Sequence, residues 1–297
     1  VIFTGGEPTL KPGFDQMLMG ALKLGLRFGI ITNGLVFPDE LIDLLRVCRP
    51  FGIGVSLDGT AEHHNHIRNH RSSWLASLAT ITRLKESGIS VVALTTITKV
   101  NWRDLRFLAG LLIDLGVDRW QIQLAVPMGR MDGKRNELLS HQQFSEFCRI
   151  IADLRRDCQE KIDILGADCF GFDDLGLVKS DTWHGCSAGL HTLGIKANGD
   201  VLPCLSLYHD RFICGNLRQN SLKEIWENDE RFDFNRHFDI GAISQDSHCY
   251  GCSKLSDCRG GCSSMSFGYY GRLHSAPFCI YRDVSRPKSK KGEKDAA

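Results

Sequence analysis

Eight of the 12 cysteines crowd into residues 186–279, and five of them form the series Cys249-x2-Cys252-x5-Cys258-x3-Cys262 with Cys279 beyond. Thiolates two residues apart can reach one metal or cluster, because a tight turn aims both sulfurs inward, and four thiolates close a site. Cys186 and Cys204 bring the set to seven, too many for one four-ligand site and one short of two. A zinc ribbon and an iron–sulfur site both suit this spacing. Disulfides suit it less, because stapled secreted domains are usually short and carry a leader, and no charged-then-apolar segment opens this sequence. A second chemical signal is Gly5-Gly6-Glu7-Pro8, where the glycines admit a ligand close to the backbone, Glu7 offers an acceptor for an ammonium or hydroxyl, and Pro8 stiffens the exit. Alone it is weak; beside the cysteine array it is specific.

These groups need a scaffold, and the apolar pattern supplies one. Over residues 1–165, strand-length runs (1–4, 28–32, 51–57, 91–98, 120–126) alternate with stretches of helical spacing (14–24, 40–47, 74–86, 105–115, 144–154). Strands separated by helices imply crossover connections and a parallel α/β sheet. Gly5-Gly6, Asn33-Gly34, Asp58-Gly59 and Pro127-Met128-Gly129 all follow strand ends, the side of such a sheet that receives ligands, so they are expected at one mouth. After about residue 165 the alternation stops. Asn198-Gly199 reads as a two-residue hairpin turn, Ser221 and Glu224 as a capping box, and the rest is too poor in apolar residues for an ordinary core, so bound metal is expected to hold it. Cys48, Cys148 and Cys158 fall in helical stretches and read as buried thiols. His63, His64, His66 and His70 read as a polar loop, Arg68 as a surface residue or a carboxylate partner, and Gln123 and Arg130 as pocket-facing.

The chain has 297 residues, 42% hydrophobic and 24% charged, with 36 basic against 35 acidic side chains and a net charge of +1. That balance gives no global field to recruit nucleic acid or an anionic membrane, and no apolar run is long enough for an ordinary membrane span. A cytoplasmic protein is expected.

Taken together, these motifs resemble a radical S-adenosylmethionine enzyme with a carboxy-terminal SPASM domain, over nearly the whole chain. Gly5-Gly6-Glu7-Pro8 matches the family motif that receives the amino group of S-adenosylmethionine, and Thr32-Asn33-Gly34 and Ser56-Leu57-Asp58-Gly59 match the next strand ends. Twelve residues separate Cys186 from Gly199 and four separate Gly199 from Cys204, as in the seven-cysteine SPASM signature, with Gly215-Asn216-Leu217 and Leu222–Trp226 between its halves. The resemblance implies a partial (β/α)6 radical SAM barrel over 1–165, a small Cys-rich SPASM domain with a β-hairpin over 166–284, and a basic disordered tail over 285–297. It implies cofactor contacts from Gly5, Gly6, Glu7, Pro8, Thr32, Asn33, Ser56 and Asp58. It also implies one auxiliary 4Fe–4S cluster on Cys249, Cys252, Cys258 and Cys279, and another on Cys186, Cys204 and Cys262, whose fourth position is open: Cys169, preferred, Cys214, another ligand type, or an iron left free for substrate.

The family's C-x3-C-x2-C, which holds the cluster that cleaves S-adenosylmethionine, does not occur in this sequence. The chain opens at Val1 in an apparent strand, so an amino-terminal truncation is expected, with the third cluster supplied by an upstream unit of roughly 30 residues and the fragment inactive by itself. Leu205 also stands where sulfatase-oxidising relatives place an aspartate base, which argues against that activity. The implied function is generation of a 5′-deoxyadenosyl radical that abstracts hydrogen and modifies a substrate, expected to be a peptide or protein side chain. The implied reductant is of the flavodoxin or ferredoxin type. The sequence assigns no catalytic residue. A zinc-stabilised binding module and an iron–sulfur electron-transfer protein are the alternatives.

Overall fold

A strand packed on both faces must be apolar throughout, whereas one that borders a cavity can alternate. Both kinds occur in the computed structural model, which describes residues 1–173, 176 and 185–285. Six parallel strands follow one another in chain order across a single sheet: β1 (Ile2–Phe3), β2 (Gly29–Thr32), β3 (Gly52–Ser56), β4 (Val91–Ile97), β5 (Arg119–Leu124) and β6 (Asp163–Gly166). The helices between them are α1 (Phe14–Lys23), α2 (Asp39–Cys48), α3 (Ala61–Arg68) with α4 (Ser73–Glu86), α5 (Leu105–Asp114) and α6 (His141–Cys158). This is the parallel α/β sheet with intervening helices expected from the pattern. Every residue of β3 is buried, while β4 and β5 alternate. Val91, Ala93, Thr95 and Ile97, with Trp120, Ile122 and Leu124, belong to the packed face. The other face of the same strands carries Thr96, Gln121 and Gln123 to the rim of a cavity.

One polar chain crosses the packed face. Trp120 Nε1 donates to Thr95 Oγ1 at 2.8 Å, and that hydroxyl donates to the Leu57 carbonyl at 2.6 Å, so three neighbouring strands share one buried relay. Above it, Phe144 and Phe147 of α6 stack against Phe170, and Phe278 lies 4.8 Å from Phe144 between ring centroids. Met265, Phe278 and Ile280 join the same apolar core, so the cysteine-rich part packs into the sheet layer.

That later part holds an antiparallel sheet, β7 (Gly194–Ile195), β8 (Asp200–Leu202) and β9 (Gly215–Asn216), then α7 (Leu222–Glu227), α8 (Asp233–Arg236), α9 (Leu255–Cys258) and α10 (Ser263–Tyr270). The Ser221–Glu224 capping box forms in both directions. The hairpin turn differs from expectation. Lys196 N–H donates to the Asp200 carbonyl and Gly199 N–H to the Lys196 carbonyl, leaving a three-residue connection in which only Gly199 takes positive φ, +93°. Nor does the segment lack apolar support. Three small clusters form, around Leu202–Leu207–Phe212, Val201–Ile225–Phe232 and Ile243–Leu255–Ala276, each including at least one cysteine.

β6 and α3 are absent from the sequence expectations. β6 is short, and α3 carries three histidines and two charged residues, Glu62 and Arg68, that hide its helical character until Thr60 caps it. Among the described residues, no helix is long and apolar enough to cross a membrane. The expected tail at 285–297 lies, apart from the backbone of Ser285, outside the described residues.

Thr95→Val preserves shape but strands the Trp120 N–H and removes a donor from Leu57. We expect a loss of about 1–3 kcal/mol in denaturant unfolding, against near neutrality for Thr96→Val at the cavity rim.

Candidate functional site

At the end of β1 the chain turns at Gly5, whose φ of +129° disfavours any side chain, and a Cβ placed at Gly5 or Gly6 would meet no atom within 4 Å. The turn is therefore an open cradle. Glu7 beside it is held by its neighbours: Oε1 accepts from Thr32 Oγ1 at 2.8 Å and Thr9 Oγ1 at 3.0 Å, and Oε2 accepts from Asn33 N at 2.7 Å. Oε2 carries this single protein donor and keeps acceptor capacity for a ligand ammonium. Pro8 is buried and starts a short 3-10 turn capped by Glu7 itself. Thr32 and Asn33 thus act on Glu7, while Asn33 Oδ1 closes a local turn on Leu35 N.

Asp58 sits differently. Its side chain is fully buried, with Oδ2 taking Arg68 Nε at 2.5 Å and Oδ1 taking Arg68 Nη2 at 3.0 Å and Thr96 N at 2.9 Å. Its N–H donates to His64 Nδ1, and its carbonyl accepts from Asn101 Nδ2 at 2.6 Å. The Asp58 carboxylate is therefore spent on joining β3, α3 and β4. Ser56 is buried at the end of β3. The histidines read as a polar loop lie on or just beyond α3, because Thr60 accepts from His63 N and starts a helix there. His64 is buried against Asp58, His63 Nδ1 meets Asp104 Oδ2 at 2.6 Å, and His66 and His70 face outward. Thr9, Asn101 and Asp104 went unrecognised. Thr9, two residues after Glu7, carries the only local signal, since short-range side chain to backbone bonding is common at that offset.

The thiols form two groups. Cys249, Cys252, Cys258 and Cys279 line one small cavity with Phe172, Tyr281 and Arg282. Burial, helped by the neighbouring Cys279, Cys249 and Cys252, pushes the Cys258 thiol up to about 12. Cys186, Cys204, Cys262 and Cys169 line a second cavity of about 720 Å³, whose other wall is the strand-end set Thr96, Gln123 and Asp168. Burial beside Cys186, with a smaller push from Cys169, holds Cys262 at about 12. Leu124 N donates to Cys169 Sγ at 3.1 Å, a bond suited to a charged sulfur. Cys214 is elsewhere, packed with Val201, Ile225 and Phe232, its thiol facing the Phe212 carbonyl. Gln123 reaches the cavity rim, whereas Arg130 is exposed and does not line it. Cys48 and Cys148 are buried and Cys158 is half-buried. Among the described residues, no three His, Cys, Asp or Glu side chains converge on one ion. Two all-thiol sets, each spread around a cavity, are the donor chemistry of iron–sulfur clusters.

Residues 1–112 match the Radical SAM superfamily, and residues 186–253 match SPASM, an iron–sulfur cluster-binding domain. An AdoMet-dependent heme synthase of Oleidesulfovibrio alaskensis is 26% identical, over 97% of this chain and 76% of that protein. A mycofactocin maturase MftC of Mycobacterium tuberculosis is 28% identical, over 89% of this chain and 66% of the relative. The crystal structure of Streptococcus suis SuiB bound to S-adenosylmethionine superimposes with a TM-score of 0.71 at 18% identity, over 89% of this chain. The chain spans 62% of SuiB, which has also been crystallised with its precursor peptide SuiA with a TM-score of 0.68.

Two outcomes are expected. Burial holds His64 at about 4 instead of 6.5, against the opposing pull of Asp58, so below pH 6.5 the unfolded chain takes up a proton that the folded chain refuses. Its contribution is complete above pH 6.5 and is lost as pH falls to 4, on the order of 3 kcal/mol; acid titration of stability in His64→Asn should lack that step. Cys169→Ala should lower iron and acid-labile sulfide in reconstituted protein or shift one electron paramagnetic resonance signal, whereas Cys214→Ala leaves both unchanged.

Proposed function

The chain carries a radical SAM domain followed by a SPASM domain and so stands among the radical SAM/SPASM enzymes; from that premise we propose that it modifies a peptide or protein side chain by hydrogen abstraction. The two domains imply S-adenosylmethionine and iron–sulfur clusters as cofactors. When bound, these groups supply a carbon-centred radical able to take hydrogen from an otherwise unreactive carbon, together with sites for the electrons that follow.

The chain's own residues bind and orient. Gly5 and Gly6 would leave room for the amino-acid part of S-adenosylmethionine and Glu7 would hold its ammonium, while Thr32, Thr9 and Asn33 fix the Glu7 carboxylate. Asp58 and Arg68 hold the end of β3, and with it Ser56, in register with β4. Cys249, Cys252, Cys258 and Cys279 would hold one auxiliary cluster, and Cys186, Cys204, Cys262 and Cys169 the other. One observation carries the reading: the second thiol set and the strand ends face each other across one cavity, so a substrate in it touches both. A maturase among the relatives supports a peptide substrate. A heme synthase aligned over 97% of the chain favours a second reading, in which a porphyrin side chain is the substrate.

The full-length gene product, reconstituted with iron and sulfide without oxygen and supplied with S-adenosylmethionine and a flavodoxin-type or chemical reductant, should release 5′-deoxyadenosine. A precursor peptide encoded beside its gene should change mass in the same reaction. No 5′-deoxyadenosine would refute the radical reading; turnover of iron coproporphyrin with the peptide untouched would select the second.

A further inference from the structure

A third cavity, of about 520 Å³, opens at the carboxyl-terminal side of the sheet between the turn after β4, the start of α6 and α10. Its charged walls are Lys99, Arg103 and Arg135, against one carboxylate, Glu146. Arg135 is partly committed, to Asp132 and to the Gly268 carbonyl, but among the described residues the Lys99 ammonium has no ion pair or hydrogen bond, and the Arg103 guanidinium has only the face of Trp102, 4.3 Å away. Tyr269 Oη is buried in the same wall with no hydrogen-bond partner among the described residues. The first turn of the 18-residue α6 also opens here: Ser140 caps the Gln143 N–H, leaving the His141 and Gln142 N–H groups and the positive end of the helix facing outward. Arg103 and Glu146 continue into an adjoining hollow lined by Arg106 and Arg149.

Cations that could pair with surface carboxylates but stand unpaired around a concave wall, beside a buried hydroxyl lacking an acceptor, are the parts of a carboxylate receptor. We propose that this cavity binds carboxylate groups of the substrate and holds it by its anionic part. Lys99 and Arg103 supply the charge and Tyr269 a hydrogen-bond donor. The inference rests on the proposed function for what the ligand is, but not for whether the pocket binds. Either an acidic stretch of a peptide or the propionates of a porphyrin presents this chemistry.

The test measures binding alone, with the full-length protein and no S-adenosylmethionine or reductant, so a failure of the radical reading leaves it intact. The probes are a fluorescein-labelled octaglutamate peptide, followed by anisotropy, and iron coproporphyrin, followed by absorbance. At least one should bind, weakening at least tenfold in Lys99→Glu/Arg103→Glu and by less in the neutral Lys99→Gln/Arg103→Gln pair, with Lys223→Glu, exposed on α7, unchanged. The probe that binds identifies the source of the carboxylate. Binding of neither probe, or affinity unaltered by charge reversal in a protein with an unchanged circular dichroism spectrum, would overturn the proposal.

Discussion

A carboxylate taken fully out of water must be given donors, and the elements that supply them are thereby fixed to one another. Asp58 takes its donors from the backbone of β4 and the guanidinium of α3, and its own amide and carbonyl are spent on His64 and Asn101. Glu7, only partly buried, is tied in a similar way to the end of β2 through Thr32 and Asn33. These two residues make the strand ends a rigid rim. The cradle at Gly5–Gly6, the cavity at Thr96 and Gln123 and the turn that carries Lys99 are all placed by that rim.

The cysteine-rich part follows a complementary logic. Its thiols are buried, and burial favours the neutral form, so coordination of a metal by these sulfurs releases their protons. Around each set the chain supplies a small apolar cluster of its own, separate from the main core. The parallel with Asp58 is close: in both halves a polar group removed from solvent organises segments distant in sequence.

Much of this was legible in the sequence, for reasons that particular residues make plain. β3 and β4 announce themselves as apolar or alternating runs, and the cysteine spacing survives because a turn with two sulfurs tolerates little variation. α3 was illegible because Glu62, His63, His64, Asn65 and His66 hide its single buried position, His64, among polar neighbours. The two carboxylates were singled out, yet spacing does not distinguish Glu7, which stays partly exposed and keeps acceptor capacity toward a ligand, from Asp58, which is fully buried against α3 and β4. Cys169 and Cys214 could not be separated by position along the chain; only the path of the backbone after β6 brings Cys169 beside Cys262 and leaves Cys214 under α7.

Phe278 deserves a final consideration, since it inserts among Phe144 and the rings around it while its neighbour Cys279 lines the first thiol cavity. Two adjacent residues thus belong to different layers of the molecule. Recombination that exchanged the carboxy-terminal half for that of a distant cousin would have to carry matching aromatic rings on both sides of the junction, so the two halves are bound to diversify as a couple.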